Sequence, residues 1–442
     1  MSRVLLILPT GTYRAEEYLS AAERLGVDVV VGSERAQALA ATMGERFLEL
    51  PLDDPPEAAR RIVAHAGRDG RLALDAVLGV DDQGLLTAAL ASAQLGLAHS
   101  PVEAVALTRD KAAMRARFAA AGVPQPDFVV VEGAGGNEVA DAAARLGVPV
   151  VVKPSSLSAS RGVIRADSPA EARAAAERIL AILESEDEAG EPRLLVERFV
   201  PGPEVAVEGI LHQGELEIIT VFDKPDPLEG PYFEETLYVS PSILSSTHLD
   251  AVHGATATAV RALGLDEGPF HAELRVPAAA RAAGGDNDAT APSAAAVVVL
   301  EVAARTIGGR CSKAMLMADG SSLEELVIAN ALGASRPPAR LASPCGVLMI
   351  PIPRSGTLVS VGGIDEVRAL PGVTGVEITI PVGRPIRALP EGDRYLGFVF
   401  ASGDSRAGVE DALRRAEGLL EVEIDPAVDA RGLLEEPADT VS

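Results

Sequence analysis

The stretches Phe270-His271-Ala272-Glu273-Leu274-Arg275-Val276 and Val297-Val298-Val299-Leu300-Glu301-Val302-Ala303-Ala304-Arg305 decide how this sequence reads. Both have strand length. Side chains of a strand alternate between faces, so His271, Glu273 and Arg275 share one face, and Glu301, Ala303 and Arg305 share one on the second run. If the two strands pair, the two carboxylates meet. Glu301 stands in an otherwise apolar run, where an unpaired carboxylate costs on the order of several kcal/mol. A positive charge therefore belongs beside it. Arg275 or Arg305 would make a structural salt bridge; a magnesium ion is the other reading, because hard cations take carboxylate oxygens and leave room for phosphate oxygens. Between the runs lies 277–296, an Ala/Gly/Asp/Pro tract without apolar periodicity, which reads as a mobile hairpin extension.

Phosphate chemistry has a second foothold upstream. Val150-Val151-Val152-Lys153-Pro154 ends a buried-type strand on a lysine, and Ser155-Ser156-Leu157-Ser158-Ala159-Ser160-Arg161-Gly162 follows it. Small, polar residues let backbone N–H groups approach phosphate oxygens, although such a turn also serves as a plain surface loop. It is not a Walker A loop, which needs a Gly-Lys-Ser/Thr ending. Ser168-Pro169-Ala170-Glu171 then starts a long helix, with a capping Ser, Pro at the first position and Glu three residues after the cap.

Further outward, the first hundred residues alternate strand and helix signals: Val4 to Leu8, Ala15 to Leu25, Val27 to Val31, Pro56 to Ala66, Ala76 to Val80 and Leu85 to Leu95. That alternation predicts a parallel, Rossmann-like sheet. No Gly-x-Gly-x-x-Gly follows the first strand, so no dinucleotide site is indicated. Asp81 and Asp82 follow the Ala76 to Val80 strand, where ligands of open α/β sheets bind and where a helix N-cap also falls. Thr108 is placed to cap a helix carrying Lys111. A third unit begins at Leu194, and a strand-and-helix mixture fills 336–442. The chain has 442 residues, 48% hydrophobic and 23% charged, enough for about three domains of about 150 residues. Its net charge of -25 excludes a nonspecific nucleic-acid or anionic-membrane surface. No stretch nears the roughly 18 apolar residues of a membrane span, and Val4 to Leu8 is too short for a signal-peptide core. Two cysteines, Cys311 and Cys345, make no disulfide framework and fit a reducing cytoplasm, the expected location; Cys311 reads as a packed small residue.

Taken in order, Lys111, Lys153, Glu197-Arg198-Phe199-Val200-Pro201-Gly202-Pro203-Glu204, Glu273, and Glu301 through Arg305 resemble the ATP-grasp superfamily. The stretch Phe222-Asp223-Lys224-Pro225-Asp226-Pro227-Leu228-Glu229-Gly230-Pro231-Tyr232-Phe233-Glu234-Glu235 resembles its L-amino-acid ligase-like carboxylate-amine ligases. So do Glu301-Val302-Ala303-Ala304-Arg305-Thr306-Ile307-Gly308-Gly309 and the tail around Gly346 to Ile352 and Tyr395-Leu396-Gly397-Phe398. The resemblance implies an α/β protein with an N-terminal Rossmann-like domain at 1–104. A two-part ATP-grasp fold (α+β) would follow at 105–190, with the phosphate loop, and 191–335, with the metal site. A small C-terminal α/β domain would form a cap at 336–442.

It also implies roles. Lys111 and Lys153 would neutralise ATP phosphates, under a loop containing Ser155, Ser156, Ser160 and Gly162. Glu197 and the backbone through Arg198, Phe199 and Val200 would face adenine, and Glu204 the ribose hydroxyls. Glu273 and Glu301 would hold Mg2+. Arg305 would bind the substrate carboxylate and the negative oxygens of the intermediates, work suited to a planar, permanently charged fork. Gly308 and Gly309 would admit the substrate to backbone amides. Position, not the resemblance, makes Asp81 or Asp82, Glu234 or Glu235, and His271 candidate substrate contacts. Asp82 also reads as a helix cap, and His271 as a structural histidine. Many ATP-grasp enzymes have Asn two residues after the second metal-binding Glu; here stands Ala303, which cannot ligate. The expected activity joins a small-molecule carboxylate to an amine with ATP and Mg2+, in a homodimer without nucleic-acid or membrane partners. Two alternatives stay open: another ATP-grasp chemistry, such as bicarbonate activation or purine-precursor ligation, and a noncatalytic ATP-binding sensor.

Overall fold

The computed structural model describes residues 2–35, 44–67, 73–133, 135–185, 191–277, 297–334 and 338–426. Apart from Pro277, the expected hairpin extension at 277–296 lies outside them. The first sheet is parallel throughout, in the order Phe47–Glu49, Asp28–Ser33, Arg3–Ile7, Ala76–Gly79. Arg3–Ile7 is central and its Val-Leu-Leu-Ile run is wholly buried, the pattern of a strand covered on both faces. Helix Asp82–Leu95 follows the last of these strands directly, which sets Asp81 and Asp82 at the carboxyl end of the sheet.

A four-stranded antiparallel sheet comes next, in the order Phe128–Glu132, Arg193–Arg198, Val150–Pro154, Ile164–Ala166. Helices Gly136–Leu146 and Pro169–Glu184 pack on it through an Ala, Val and Ile core. Arg193–Arg198 thus belongs with the subdomain expected to end at 190; the boundary fails because long-range pairing, not chain order, places that strand. Ser168 caps Pro169–Glu184 as expected, its side chain accepting the Glu171 N–H. Thr108 does not cap the Lys111 helix. It closes helix Val102–Thr108, which runs through position 104, and Asp110 caps Lys111–Ala121 by accepting the N–H groups of Ala112 and Ala113.

The largest sheet has eight strands: Val298–Ala303, Gly268–Arg275, Glu204–His212, Glu215–Lys224, Leu237–Ser240, Cys345–Ile350, Gly397–Ser402, Val373–Ile378. Its last three lie in the segment expected to form the C-terminal cap, and they continue the same sheet because Leu237–Ser240 pairs with Glu215–Lys224 on one side and Cys345–Ile350 on the other. A small sheet of Pro385–Ile386, Gly356–Gly362 and Glu421–Asp425 completes the C-terminal part. Gly268–Arg275 and Val298–Ala303 pair antiparallel with Glu273 opposite Glu301, as the alternation predicts. A bulge follows, since Leu274 pairs with Val299 and leaves Leu300 without a partner; bulges re-aim side chains and carbonyls beside sites.

The centre of this sheet leaves no spare volume. A Cβ on Gly209 would lie 2.3 Å from Cζ of Phe270 and 2.6 Å from the Glu217 carbonyl oxygen. Phe270 is fully buried, so neither neighbour has room to yield. Gly209→Ala is therefore expected to lower stability by about 1–3 kcal/mol, read as an earlier midpoint of urea unfolding; an unchanged midpoint would contradict this packing.

Candidate active site

Lys111 and Arg115 stand four residues apart on helix Lys111–Ala121 and so share a face. Lys111 Nζ lies 2.8 Å from the Leu157 carbonyl oxygen and 3.2 Å from Glu301 Oε1. The cation beside Glu301 is thus Lys111, not Arg275 or Arg305. Arg115 is buried, with Nε 2.7 Å from Glu197 Oε1 and Nη2 donating to the Leu300 carbonyl in the bulge at 2.6 Å. Lys153 Nζ reaches the other Glu197 oxygen at 2.8 Å. Burial alone would raise the Glu197 carboxyl, but Arg115 and Lys153 outweigh it and hold the group at about 2. Burial draws the Lys153 ammonium below its ordinary value, against the pull of Glu197. Helix, bulge and second sheet are therefore tied by one run of charge.

A second cluster lies on the large sheet. Lys224 Nζ donates to Glu204 at 2.6 Å and to Glu273 at 3.0 Å, and forms a shorter contact with Glu235. Glu204 also accepts from Arg275 Nε at 2.9 Å. Burial opposes the Lys224 charge, yet the three carboxylates push that ammonium well above its usual range. Across the two clusters, Glu197, Glu204, Glu235, Glu273 and Glu301 meet Lys111, Arg115, Lys153, Lys224 and Arg275, five anions against five cations. Below them, His271 lies between two carboxylates, Nδ1 3.3 Å from fully buried Glu208 and Nε2 3.5 Å from Glu273. Burial disfavours its charge, but Glu208 and Glu273 prevail and raise it. Glu208 also accepts the Ile307 N–H at 3.0 Å.

A third group joins the large sheet to the first domain. Arg305 Nε lies 2.9 Å from Asp82 Oδ1, and Nη1 donates to the Thr306 carbonyl at 3.0 Å. Burial works against the Asp82 carboxylate, yet Arg305 holds it below the usual range. Asp81 occupies the N-cap position without a capping bond and faces Arg14 Nε at 3.6 Å. Buried Arg14 donates to the Thr306 and Ile307 carbonyls at 3.2 and 2.8 Å. Gly309 follows with φ +59°, and a Cβ there would meet Met349 Sδ at 2.4 Å, so conformation and space both demand glycine.

Residues 146–284 match the family described as ATP-grasp domain, 19–99 the ATP-grasp N-terminal domain, and 348–425 the L-amino acid ligase C-terminal domain 2. The chain carries ATP-grasp regions at 19–99 and 146–284. Its C-terminal region is of the L-amino acid ligase type. The crystal structure of an L-amino acid ligase from Bacillus licheniformis superposes with a TM-score of 0.75 at 25% identity, over 96% of this chain and 99% of that one. A Sinorhizobium fredii protein designated y4rH is 29% identical over 72% of this chain and 62% of its own length. The alanine–anticapsin ligase of Bacillus subtilis is 28% identical over 47% of this chain and 46% of its own. The match therefore spans less than two thirds of either curated relative.

Within this ATP-grasp frame, Lys111, Lys153, Glu197 and Glu301 form one cluster, Glu204, Glu235, His271 and Glu273 a second, and Arg305, Asp82, Gly308 and Gly309 a third. Several expectations need correction. Arg198 turns outward, over half exposed, to Asp127 and the Leu146 carbonyl, because Glu197 takes the inward face of the same strand. The Arg198 and Phe199 N–H groups are already donated to the Asp127 and Pro149 carbonyls, and the Val200 carbonyl accepts from Arg275. The Phe199 ring lies beneath the guanidiniums of Arg165 and Arg275, at 4.5 and 5.2 Å. Ser155 is buried and serves the helix start, donating to Asp110 and accepting the Ala112 N–H. The Gly162 N–H is bound to the Pro390 carbonyl, while Ser156 and Ser160 lie in the loop with exposed and half-buried side chains. Cys311 is fully buried and burial pushes its thiol well up, which fits a packing residue.

Four residues of the site escape a reading from sequence alone: Arg14, Arg115, Glu208 and Lys224. Arg115 carries the one local signal, standing one helical turn after Lys111. ATP and Mg2+ are the cofactors of this family, and the residues fit them. Glu273 and Glu301 offer hard oxygen donors, are each about a quarter exposed, and already hold ammonium groups. Among the described residues, no helix is long and apolar enough to cross a membrane.

Glu197 sets an acid limit. Its carboxyl lies at about 2 when folded against an ordinary 4.5, so ionisation stabilises the fold above the ordinary value by about 3 kcal/mol, and that is lost as pH falls through about 2. Glu197→Gln is expected to be less stable at pH 7 by about 3–5 kcal/mol, and to lose less further stability than wild type between about pH 5 and 3. Parallel urea-unfolding curves for the two proteins over that range would contradict the assignment.

Proposed function

We propose that the chain is an ATP-dependent, ADP-forming carboxylate–amine ligase whose activated substrate is an amino acid or related acid. The pairing of Glu273 opposite Glu301, with Lys111 on one carboxylate and Lys153 nearby in the same charge run, carries the reading. Five carboxylates balanced by five cations make a place for a polyphosphate with its metal, since both signs of charge are already compensated there. The Arg305–Asp82 pair supports the substrate class. A guanidinium beside a carboxylate complements the carboxylate and ammonium of a zwitterionic amino acid.

A free carboxylate has no adequate leaving group, which activation supplies. One substrate carboxylate oxygen attacks the terminal phosphorus, the bond from that phosphorus to the ADP oxygen breaks, and an acyl phosphate forms. The amine nitrogen then attacks the acyl carbon, the carbon–oxygen bond to phosphate breaks, and the nitrogen gives up a proton. Magnesium held by Glu273 and Glu301 supplies neutralisation of the phosphate charge. Lys111 and Lys153 bind phosphate oxygens through ammonium groups, and Arg305 orients the carboxylate and stabilises negative oxygen as it develops. The 155–162 loop excludes water from the acyl phosphate, fastened at Gly162 to Pro390 of the C-terminal part. This reading takes a small-molecule carboxylate and amine as partners.

Phosphate release from Mg-ATP against pooled amino acids, with one pool omitted at a time and products weighed, tests the proposal. The expected result is release that needs amino acids and yields ADP with a product one water lighter than its parts. Release that requires bicarbonate instead would move the reading to another ATP-grasp chemistry. Bound ATP without release under any pool would favour a sensor, the reading that Ala303 motivates. Once the substrates are in hand, Arg305→Lys is expected to lower kcat by about 100-fold, and Glu301→Gln to abolish turnover in a folded protein; unchanged kinetics would reject those roles.

A further inference from the structure

Lys224 ends strand Glu215–Lys224, and its side chain is only 3% exposed. An ammonium has three donors and no acceptor, and here all three go to carboxylates: Glu204, Glu235 and Glu273. The Tyr238 ring lies 5.1 Å from Nζ and covers the same charge. Glu204, Glu235 and Glu273 also each offer one oxygen such that the three atoms fall within 4.8 Å of one another, close enough for one metal ion. The ammonium therefore stands where a divalent ion shared by these carboxylates would stand. Buried carboxylates without a cation are strongly disfavoured, so a site that gathers them in advance must bring its own positive charge.

We infer that Lys224 is a resident counter-ion, which keeps Glu204, Glu235 and Glu273 assembled without metal and denies them to a divalent ion that arrives without nucleotide. The inference deepens the proposed function and rests on its nucleotide site. Around Glu273 the Lys224 ammonium already fills the position between the carboxylates, with Arg275 on Glu204 and Lys111 on Glu301, so a divalent ion alone would have to displace an ammonium or sit a few ångströms from it. A polyphosphate removes that obstacle, because its own negative charge offsets the ion. Metal entry is then tied to nucleotide entry. Without nucleotide, Lys224 acts through the carboxylates it holds and so positions them.

The test uses Mn2+ as the probe on the full chain, with binding read by the loss of the free-ion electron paramagnetic resonance signal. Wild type is expected to bind Mn2+ weakly alone and tightly with a nonhydrolysable ATP analogue. Lys224→Met is expected to bind nucleotide-free Mn2+ at least about tenfold more tightly than wild type, because the competing charge is gone. If that variant does not fold, Lys224→Gln, which keeps hydrogen-bond donors for the carboxylates without the charge, is expected to show the same gain. Equal nucleotide-free Mn2+ affinity in wild type and the folded variant would overturn the inference, as would tight nucleotide-free Mn2+ binding by wild type. A merely structural lysine would lower stability without that gain. Failure of wild type to bind the analogue would overturn the nucleotide site itself, whereas analogue binding with no Mn2+ gain overturns only the role of Lys224.

Discussion

A carboxylate on a β-strand loses its water when a neighbouring strand and a helix close over it, and the fold must return the lost energy as opposite charge. The rest of this site depends on that constraint. Glu204 and Glu273 come from adjacent strands of one sheet and Glu301 from the next, and their cations are gathered both from that sheet and from elements packed against it. Lys111 and Arg115 come from a helix, Lys153 from the second sheet, and Lys224 and Arg275 from ends of the large sheet's own strands. Each ion pair thus fixes one element against another. Lys111 and Lys153 hold their places because Glu301 and Glu197 need them.

The same logic joins the first domain and the C-terminal part to the site. Arg14 reaches across to the Thr306 and Ile307 carbonyls, and Asp82 to Arg305. Arg310 contacts Glu17 of the first domain and Glu377 of strand Val373–Ile378. Glu391 takes Arg178 from the helix behind the phosphate loop. The large sheet runs unbroken into the C-terminal strands, so these ion pairs all join elements to one sheet or to what packs on it.

The facing of Glu273 and Glu301 was legible in the sequence, because strand alternation is local and an acid in an apolar run is conspicuous. Lys111, Lys153 and Arg305 were legible as charged groups, through a family resemblance, but their partners were not. Whether Glu301 meets Arg275, Arg305 or Lys111 depends on where a helix docks on a sheet, and no local pattern encodes that. Arg198 shows another limit: Glu197 facing inward sends the Arg198 side chain outward by the same alternation, whereas the motif order speaks only of the backbone there. The sheet that takes Arg193–Arg198, and the one that crosses into the C-terminal part, follow from pairings between segments far apart in the chain. Lys224 lay inside a quoted motif, but a lysine there has no visible purpose until three carboxylates from separate segments close on it.

The central claim is that this frame activates a carboxylate by phosphorylating it. Amino acids labelled with oxygen-18 in the carboxyl group, supplied with unlabelled Mg-ATP, test it directly through the mass of the released phosphate. The account requires one labelled oxygen in each phosphate formed along with ADP, carried off when the amine displaces phosphate from the acyl phosphate. ADP formed with wholly unlabelled phosphate, while an amide accumulates, would contradict it.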